Sequence, residues 1–538
     1  MSLAFAAALA TAAPASPPPS PTPGASAPLI LDRGRADRAP VASPVDDQAA
    51  PSGGRTAIEA AAGGTVIRRI VFASGAVPAR VAAAAQGFVG QRATAATLAE
   101  AAKAMAAAYA RSDIALYSVV VPRQSFAGGV VRIVAIEGFV ERVVFKSGET
   151  PLLRHYARAL AAERPLSRHT LERYISLMRD VAGGSVDVQI LRGGRPGGVV
   201  LQIVSTRKRR QASLGFDNQG PSLLGDFETR GEVHAYSLLR DGDRTDLTGL
   251  ASPDFHRLLY VAGAHTTPIG ATGGTASLSA GYIVTRPRRS VVDGHATTFG
   301  LTTAWPILRG YKRNLSLTLG LDGIDSDAAA FGTTISSDHT RALRGAAGYS
   351  YAGAKTALSA GITVSRGLDI LSARALAGFT DTVFTKVNGR ATYDAQIGKR
   401  LFVHLRAAGQ YSRDRLPGAE RFAVGGADFG RAFDTALLSG DRGAAASAEL
   451  AVRPNLPARL AGSELYGFVD AATLRIVARG SYAAGDFDLA SAGAGMRLAY
   501  TSRASVQLEA ARSIDRPYPG YRGGWRVNFG WRLALARH

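Results

Sequence analysis

The sequence predicts a transmembrane β-barrel of sixteen antiparallel strands preceded by two small α/β units. Three features carry that expectation: period-two alternation from about Gln211 to the end, segments long enough to cross a bilayer, and a strand-helix texture that occurs twice before the alternation begins. In Leu315–Asp322 every odd position is apolar and every even one small or polar. Leu358, Ala360, Ile362 and Val364 alternate with Ser359, Gly361, Thr363 and Ser365, and Val506, Leu508 and Ala510 with Ser505, Gln507 and Glu509. In the final segment Trp525, Val527, Phe529, Trp531, Leu533 and Leu535 share one face, and Arg526, Asn528, Gly530 and Arg532 the other. Alternation alone also fits a soluble sandwich, so length and number discriminate. Many segments run to about nine or more positions, the length of a tilted membrane-crossing strand, against about five or six in soluble sheets. Closure into a barrel satisfies every backbone polar group in lipid, which an open sheet cannot do.

Taken in order, residues 1–13 form a short Ala/Leu/Phe segment followed by Ala-Pro-Ala-Ser, the pattern of a signal peptide lacking its basic n-region, as a truncated one would. Residues 14–65 are rich in Pro, Ala, Ser and Gly and read as a flexible linker, with Leu29–Arg38 read as disordered rather than as a brief helix. The first unit, 66–140, opens with the strand Val66–Phe72. A capping box at Thr97 and Glu100 starts a helix that puts Leu98, Ala102, Met105 and Tyr109 on one face, and strands near 118–122 and 130–136 follow. The second unit, 141–206, repeats the order, with a helix carrying Leu171, Tyr174, Ile175 and Met178. The barrel takes 207–538.

Composition excludes several classes of chemistry. The chain has no cysteine, which removes thiolate metal sites, disulfides and cysteine nucleophiles. The net charge of +21 is spread along the chain without interleaved stacking aromatics, which argues against nucleic acid; the dense run Arg207–Arg210 reads as a solvated junction. No nucleophile elbow, Walker loop or H-x-x-x-H spacing occurs. The expectation is therefore a non-enzyme with no catalytic residue, cofactor or metal.

One stretch is more specific: Val424-Gly-Gly-Ala-Asp-Phe-Gly-Arg-Ala-Phe-Asp434, followed by Leu438-Ser-Gly-Asp-Arg-Gly443. With Gly467-Phe468-Val469-Asp470, and with Val121-Pro122-Arg123-Gln124, Gly128 and Glu137-Gly138 upstream, it resembles the haemolysin-activator family of two-partner secretion transporters within the Omp85 superfamily. The resemblance implies two periplasmic POTRA domains, a sixteen-stranded barrel, and a loop between strands 11 and 12, about 415–442 here, that folds into the lumen. That loop carries the tetrad Gly430, Arg431, Ala432, Phe433; Gly430 stands where Val is usual and Ala432 where Gly is usual, which puts the backbone at the tip in question. The wall partner is Gly467, Phe468 and Asp470 on strand 13, where period two places Tyr466, Phe468 and Asp470 toward the lumen. The expected contacts are Arg431 with Asp470, and Phe433 against Phe468.

The function so implied is ATP-independent export of an unfolded partner exoprotein (adhesin, haemolysin or toxin) across a Gram-negative outer membrane, with lipid and, during biogenesis, the barrel assembly machinery as further partners. The alternatives are an Omp85-type assembly factor and a passive porin. The last strand is expected to show Trp525, Phe529 and Trp531 to lipid, with an assembly signal weakened by the terminal Arg537-His538.

Overall fold

The computed structural model describes residues 53–59, 64–73 and 77–535, apart from 289, 332 and 482, with backbone only at 330, 333 and 335. The signal segment, Leu29–Arg38, the rest of the linker outside 53–59 and 64–65, and Arg537-His538 lie outside the described residues. Two compact units result, an N-terminal one and a barrel.

The barrel is closed, its strands following one another in sequence order from Arg210–Asp217 to Trp525–Leu535, and the last pairs antiparallel with the first from Gly530↔Asp217 to Leu535↔Ala212. It has sixteen strands, as the alternation predicts. Burial along them is inverted relative to a soluble protein. In Thr356–Gly367, Thr363 and Ser365 are fully buried while Ile362 and Val364 are about half exposed, so the apolar face is the outer one. Glu464–Ile476 alternates without a break: Tyr466, Phe468 and Asp470 lie inside, Leu465 and Val469 outside. On the last strand Trp525, Val527 and Trp531 are exposed, Asn528 is buried, and Phe529 is half-buried against Phe216 and Phe227. Such an apolar outer band around a polar interior is what lipid on one side and water on the other select.

In the N-terminal unit, two α/β sheets pack helices on one face. The first has strands Gly53–Ile58, Leu116–Val121, Val130–Glu137 and Arg69–Phe72 side by side, covered by helices Ala79–Gln86 (α1) and Ala95–Ala110 (α2). Leu98, Ala102, Met105 and Tyr109 of α2 are buried in its core, the face the sequence predicts. The helix starts earlier than predicted: Thr94 is the N-cap, its hydroxyl accepting from the Thr97 N–H at 3.1 Å, so Thr97 is the capped residue rather than the cap. Gly53–Ile58 falls in the stretch read as linker. It is a strand because its backbone pairs in parallel with Leu116–Val121, a partner that composition cannot reveal.

The second sheet orders Phe139–Ser147, Gly198–Arg207 and Gly184–Arg192, under helices Pro151–Ala162 (α3) and Arg168–Arg179 (α4). Leu171, Ile175 and Met178 are buried and Tyr174 packs at the edge of that core. Ala115 and Leu116 of the first sheet reach into it, and the Ala115 N–H donates to Leu166 O at 3.0 Å.

Candidate functional site

The connection between the eleventh strand, Leu401–Ser412, and the twelfth, Arg442–Val452, turns back into the barrel. A short 3-10 turn at Gly418–Glu420 leads into a two-stranded ribbon, Phe422–Val424 with Leu438–Gly440, whose closed end carries the tetrad. Gly425, Gly426 and Gly430 have φ of +106°, +91° and +81°, the left-handed region that glycine enters freely. Ala432 is not among the positive-φ residues, so within the tetrad the left-handed residue is Gly430. A Cβ at Gly430 would lie 2.8 Å from Leu489 Cδ1, so a side chain there would have to displace Leu489 as well as adopt a left-handed backbone.

At the tip, Arg431 is 3% exposed and faces three buried carboxylates. Its Nη1 donates to Glu449 at 3.2 Å and to Glu509 at 3.0 Å, and its Nη2 to Ser447 at 3.1 Å. The guanidinium lies over the Phe468 ring, 4.0 Å from the centroid. Asp470 is within ion-pair reach, 3.7 Å from Nε, but too far for a hydrogen bond, and among the described residues neither that Nε nor Asp470 Oδ2 has another hydrogen-bond partner. What Asp470 does hold is the loop backbone and a wall hydroxyl: Oδ1 accepts from the Gly430 N–H at 2.8 Å and from Ser491 Oγ at 2.6 Å. The predicted Arg431–Asp470 contact is thus one of three, and the weakest in geometry. Phe433, fully buried in the same apolar cluster as Phe468, has its ring against Tyr521 at 5.5 Å, and the Phe468 face is taken by Arg431 instead. Gly467 faces outward, opposite the cluster.

Behind this cluster the charges continue. Arg497 donates to Glu449 at 2.8 Å and stands over Tyr466, whose hydroxyl donates to Glu509 at 2.9 Å; Asn528 on the last strand donates to Glu509 and to the Arg431 carbonyl. His404, Glu449 and Glu464 come close enough together to suggest a cation site. Guanidinium groups already engage both acids, however, Arg497 on Glu449 and Arg453 on Glu464 at 2.7 Å, and the chemistry is that of an ion-pair network.

A second cluster of opposite polarity holds the root of the loop. Glu420, fully buried, accepts from Arg344 Nη2 at 2.8 Å and pairs with Lys386 Nζ at 2.7 Å, while Arg344 Nε also donates to Asp322 at 3.0 Å. Its carbonyl accepts from Lys386 Nζ and from Gln410 Nε2. The side of the loop is stitched by Asp434, which accepts from Ser222 and Arg526, and by Asp441, which accepts from the backbone of Leu416 and Val477 and from Arg479.

The sequence reading did not single out Glu420, Arg344, Lys386, Glu449, Glu509 or Arg497. A usable signal existed for most of them: a full charge at an inward position of an alternating strand has to be desolvated and therefore has a partner. Glu420 sits in an irregular loop and gave no such signal.

Residues 197–498 match the family model described as haemolysin secretion/activation protein ShlB/FhaC/HecB, and residues 66–138 match the ShlB-type POTRA domain. No curated protein matches the chain. Among solved structures it is similar to CdiB from Escherichia coli (TM-score 0.70, 18% identity, covering 87% of this chain and 90% of that one). It is also similar to CdiB from Acinetobacter baumannii (0.64, 16%, 89% and 91%) and to BamA from Haemophilus ducreyi lacking POTRA domains 1-3 (0.51, 13%, 88% and 99%). At these identities the structural likeness speaks to the fold, and it is the family model across the barrel that decides membership: the chain belongs to the haemolysin secretion/activation family ShlB/FhaC/HecB, transporters of the Omp85 superfamily with an outer-membrane β-barrel.

Proposed function

We propose that this chain secretes an unfolded partner exoprotein across the outer membrane. The first POTRA domain and the unit formed by residues 139–207, which we read as a second one, capture the client in the periplasm, and the barrel conducts it without ATP. The carrying observation is the loop held in the lumen by Arg431 among Glu449, Glu509 and Asp470. A passive pore has no need of such a plug, whereas a transporter needs one that stays shut at rest and yields to its client. The client contributes backbone: an extended segment adds to a sheet edge by main-chain hydrogen bonds that read little of its side chains, and folding outside the cell then prevents return. Outward-facing Leu, Val and Trp supply the lipid contact. The assembly-factor alternative has no observation in its favour beyond the shared barrel fold.

The test is secretion of a co-expressed candidate exoprotein, in a Gram-negative host, by wild type and by Arg431→Ala, the candidate being one that wild type exports. Normal insertion and heat-modifiability with strongly reduced secretion is the expected outcome. Undiminished secretion by the variant would refute the role given to the loop.

A further inference from the structure

The edge of the first sheet is occupied by the chain itself. Gly53–Ile58 runs parallel to Leu116–Val121 with an unbroken register from Gly53↔Leu116 to Ile58↔Val121, and the ladder continues with the Glu59 N–H donating to Val121 O at 2.9 Å. Beyond that ladder the strand lies alongside α2 but gives it no buried apolar side chain. Gly54, Arg55, Thr56 and Ile58 are exposed, Ala57 is half-buried, and none of them belongs to the unit's apolar core. Its attachment is chiefly main-chain pairing, which another extended segment can supply equally well. One position is selective: at Gly54 the Tyr117 ring, stacked on Tyr109 of α2 at 4.9 Å, leaves no room, since a Cβ there would lie 2.5 Å from the Tyr117 hydroxyl.

The second sheet shows the contrast. Its edge strand Gly184–Arg192 pairs only with Gly198–Arg207 among the described residues. An unpaired edge is ordinary in the second sheet, so the added strand in the first is not a requirement of this fold type.

We propose that the outer edge of Leu116–Val121 is a strand-accepting site for an extended segment with glycine opposite Tyr117, and that Gly53–Ile58 is a displaceable occupant that competes with it. The proposal rests on the reading that the N-terminal units bind an extended client. The strand lowers the apparent affinity of the edge by the fraction of time it is seated. It also shields an otherwise sticky edge from non-specific pairing when no client is present.

The chain's lack of cysteine makes the test clean. Arg55 and Ser118 are register partners on the face of the sheet away from the helices, so Arg55→Cys with Ser118→Cys in the full-length protein gives a strand that oxidation locks and reduction releases. Gly54→Leu unseats it by collision with Tyr117. The probe is a fluorescein-labelled peptide of residues 52–59, Ser-Gly-Gly-Arg-Thr-Ala-Ile-Glu, read by anisotropy, with hydrogen exchange following the amides of 116–121. The expected order is tightest binding to Gly54→Leu, at least about tenfold weaker to wild type if the strand is seated more than about nine-tenths of the time, and none to the oxidised pair, returning on reduction. Equal binding to oxidised and reduced protein would overturn the proposal, because the peptide would then sit elsewhere. So would edge amides in Gly54→Leu as protected as in wild type, because the strand would then not be displaceable. Secretion by Arg431→Ala does not touch this edge, so the transport reading and this one can fail separately.

Discussion

The tip and the root of the in-folded loop are fastened by the same device with the signs reversed. At the tip one loop cation, Arg431, meets three wall carboxylates; at the root one loop anion, Glu420, meets two wall cations. In both, the residue contributed by the loop is the single hub and the wall supplies the multiplicity. The design concentrates vulnerability on the loop: losing one wall partner leaves the hub with others, while losing the hub leaves like charges facing one another out of water. A loop so held has two separate points of attachment, and displacing one hub need not break the other at the same moment.

Arg431→Ala is the sharpest way to break this comparison. It leaves Glu509 and Asp470 without their guanidinium while Arg497 still pairs with Glu449, and removing one member of a buried ion pair costs about 3–5 kcal/mol. The tip is expected to leave its seat while the barrel persists, seen as a large increase in maleimide labelling of Thr435→Cys, a buried position in wild type. Next comes Glu420→Ala, which removes the carboxylate that Arg344 and Lys386 share. Asp322 still engages Arg344, so the effect is expected to be smaller, and it is to be read as labelling of Ala419→Cys at the root with Thr435→Cys less affected. If both probes respond equally to both substitutions, the loop has one release point and the two-cluster picture is wrong.

Asp470→Asn sharpens the comparison from the other side. The amide oxygen can still accept from the Gly430 N–H and Ser491, and Arg431 keeps two carboxylates, so the cost is expected to be about 1 kcal/mol or less. Labelling of Thr435→Cys as fast as in Arg431→Ala would show that Asp470 is a hub in its own right. Outside the barrel the expected effect is smallest. Burial and the nearby Glu137 carboxylate push the Tyr109 phenol up to about 12. A raised pKa means that folding favours the protonated phenol, so this contribution is intact below pH 10 and is lost as pH rises through about 12. The ultraviolet difference titration of wild type against Tyr109→Phe is expected to show one tyrosine ionising late; a midpoint near 10 would contradict the buried environment.

What the sequence could disclose followed periodicity. Strands that alternate for many residues, such as Leu315–Asp322 and Trp525–Leu535, announce both their type and their outward face, and the α2 face with Leu98 and Met105 does the same at helical spacing. The loop tip was legible because the resemblance to a family points to Arg431 and Asp470. It overstated their bond, since a motif records which residues recur and not which atoms touch. The strand Gly53–Ile58 and the hub Glu420 were not legible. Each acquires its role from a partner far away in sequence, Leu116–Val121 for one and Arg344 with Lys386 for the other, and neither carries a local pattern.

The unbroken in-and-out burial along Glu464–Ile476 has a consequence for how such a protein can change over generations. Because successive side chains point to opposite faces, adding or deleting one residue upstream of Asp470 within this strand would turn Tyr466, Phe468 or Asp470 toward lipid and bring Leu465 or Val469 to face Arg431. A strand without a bulge, as this one is, can drift in identity more easily than in length, whereas the connection after Ile476 has no such phase to preserve. Gaps between relatives are therefore expected in the connections rather than between Tyr466 and Asp470, and an alignment with many gaps inside that stretch would contradict this.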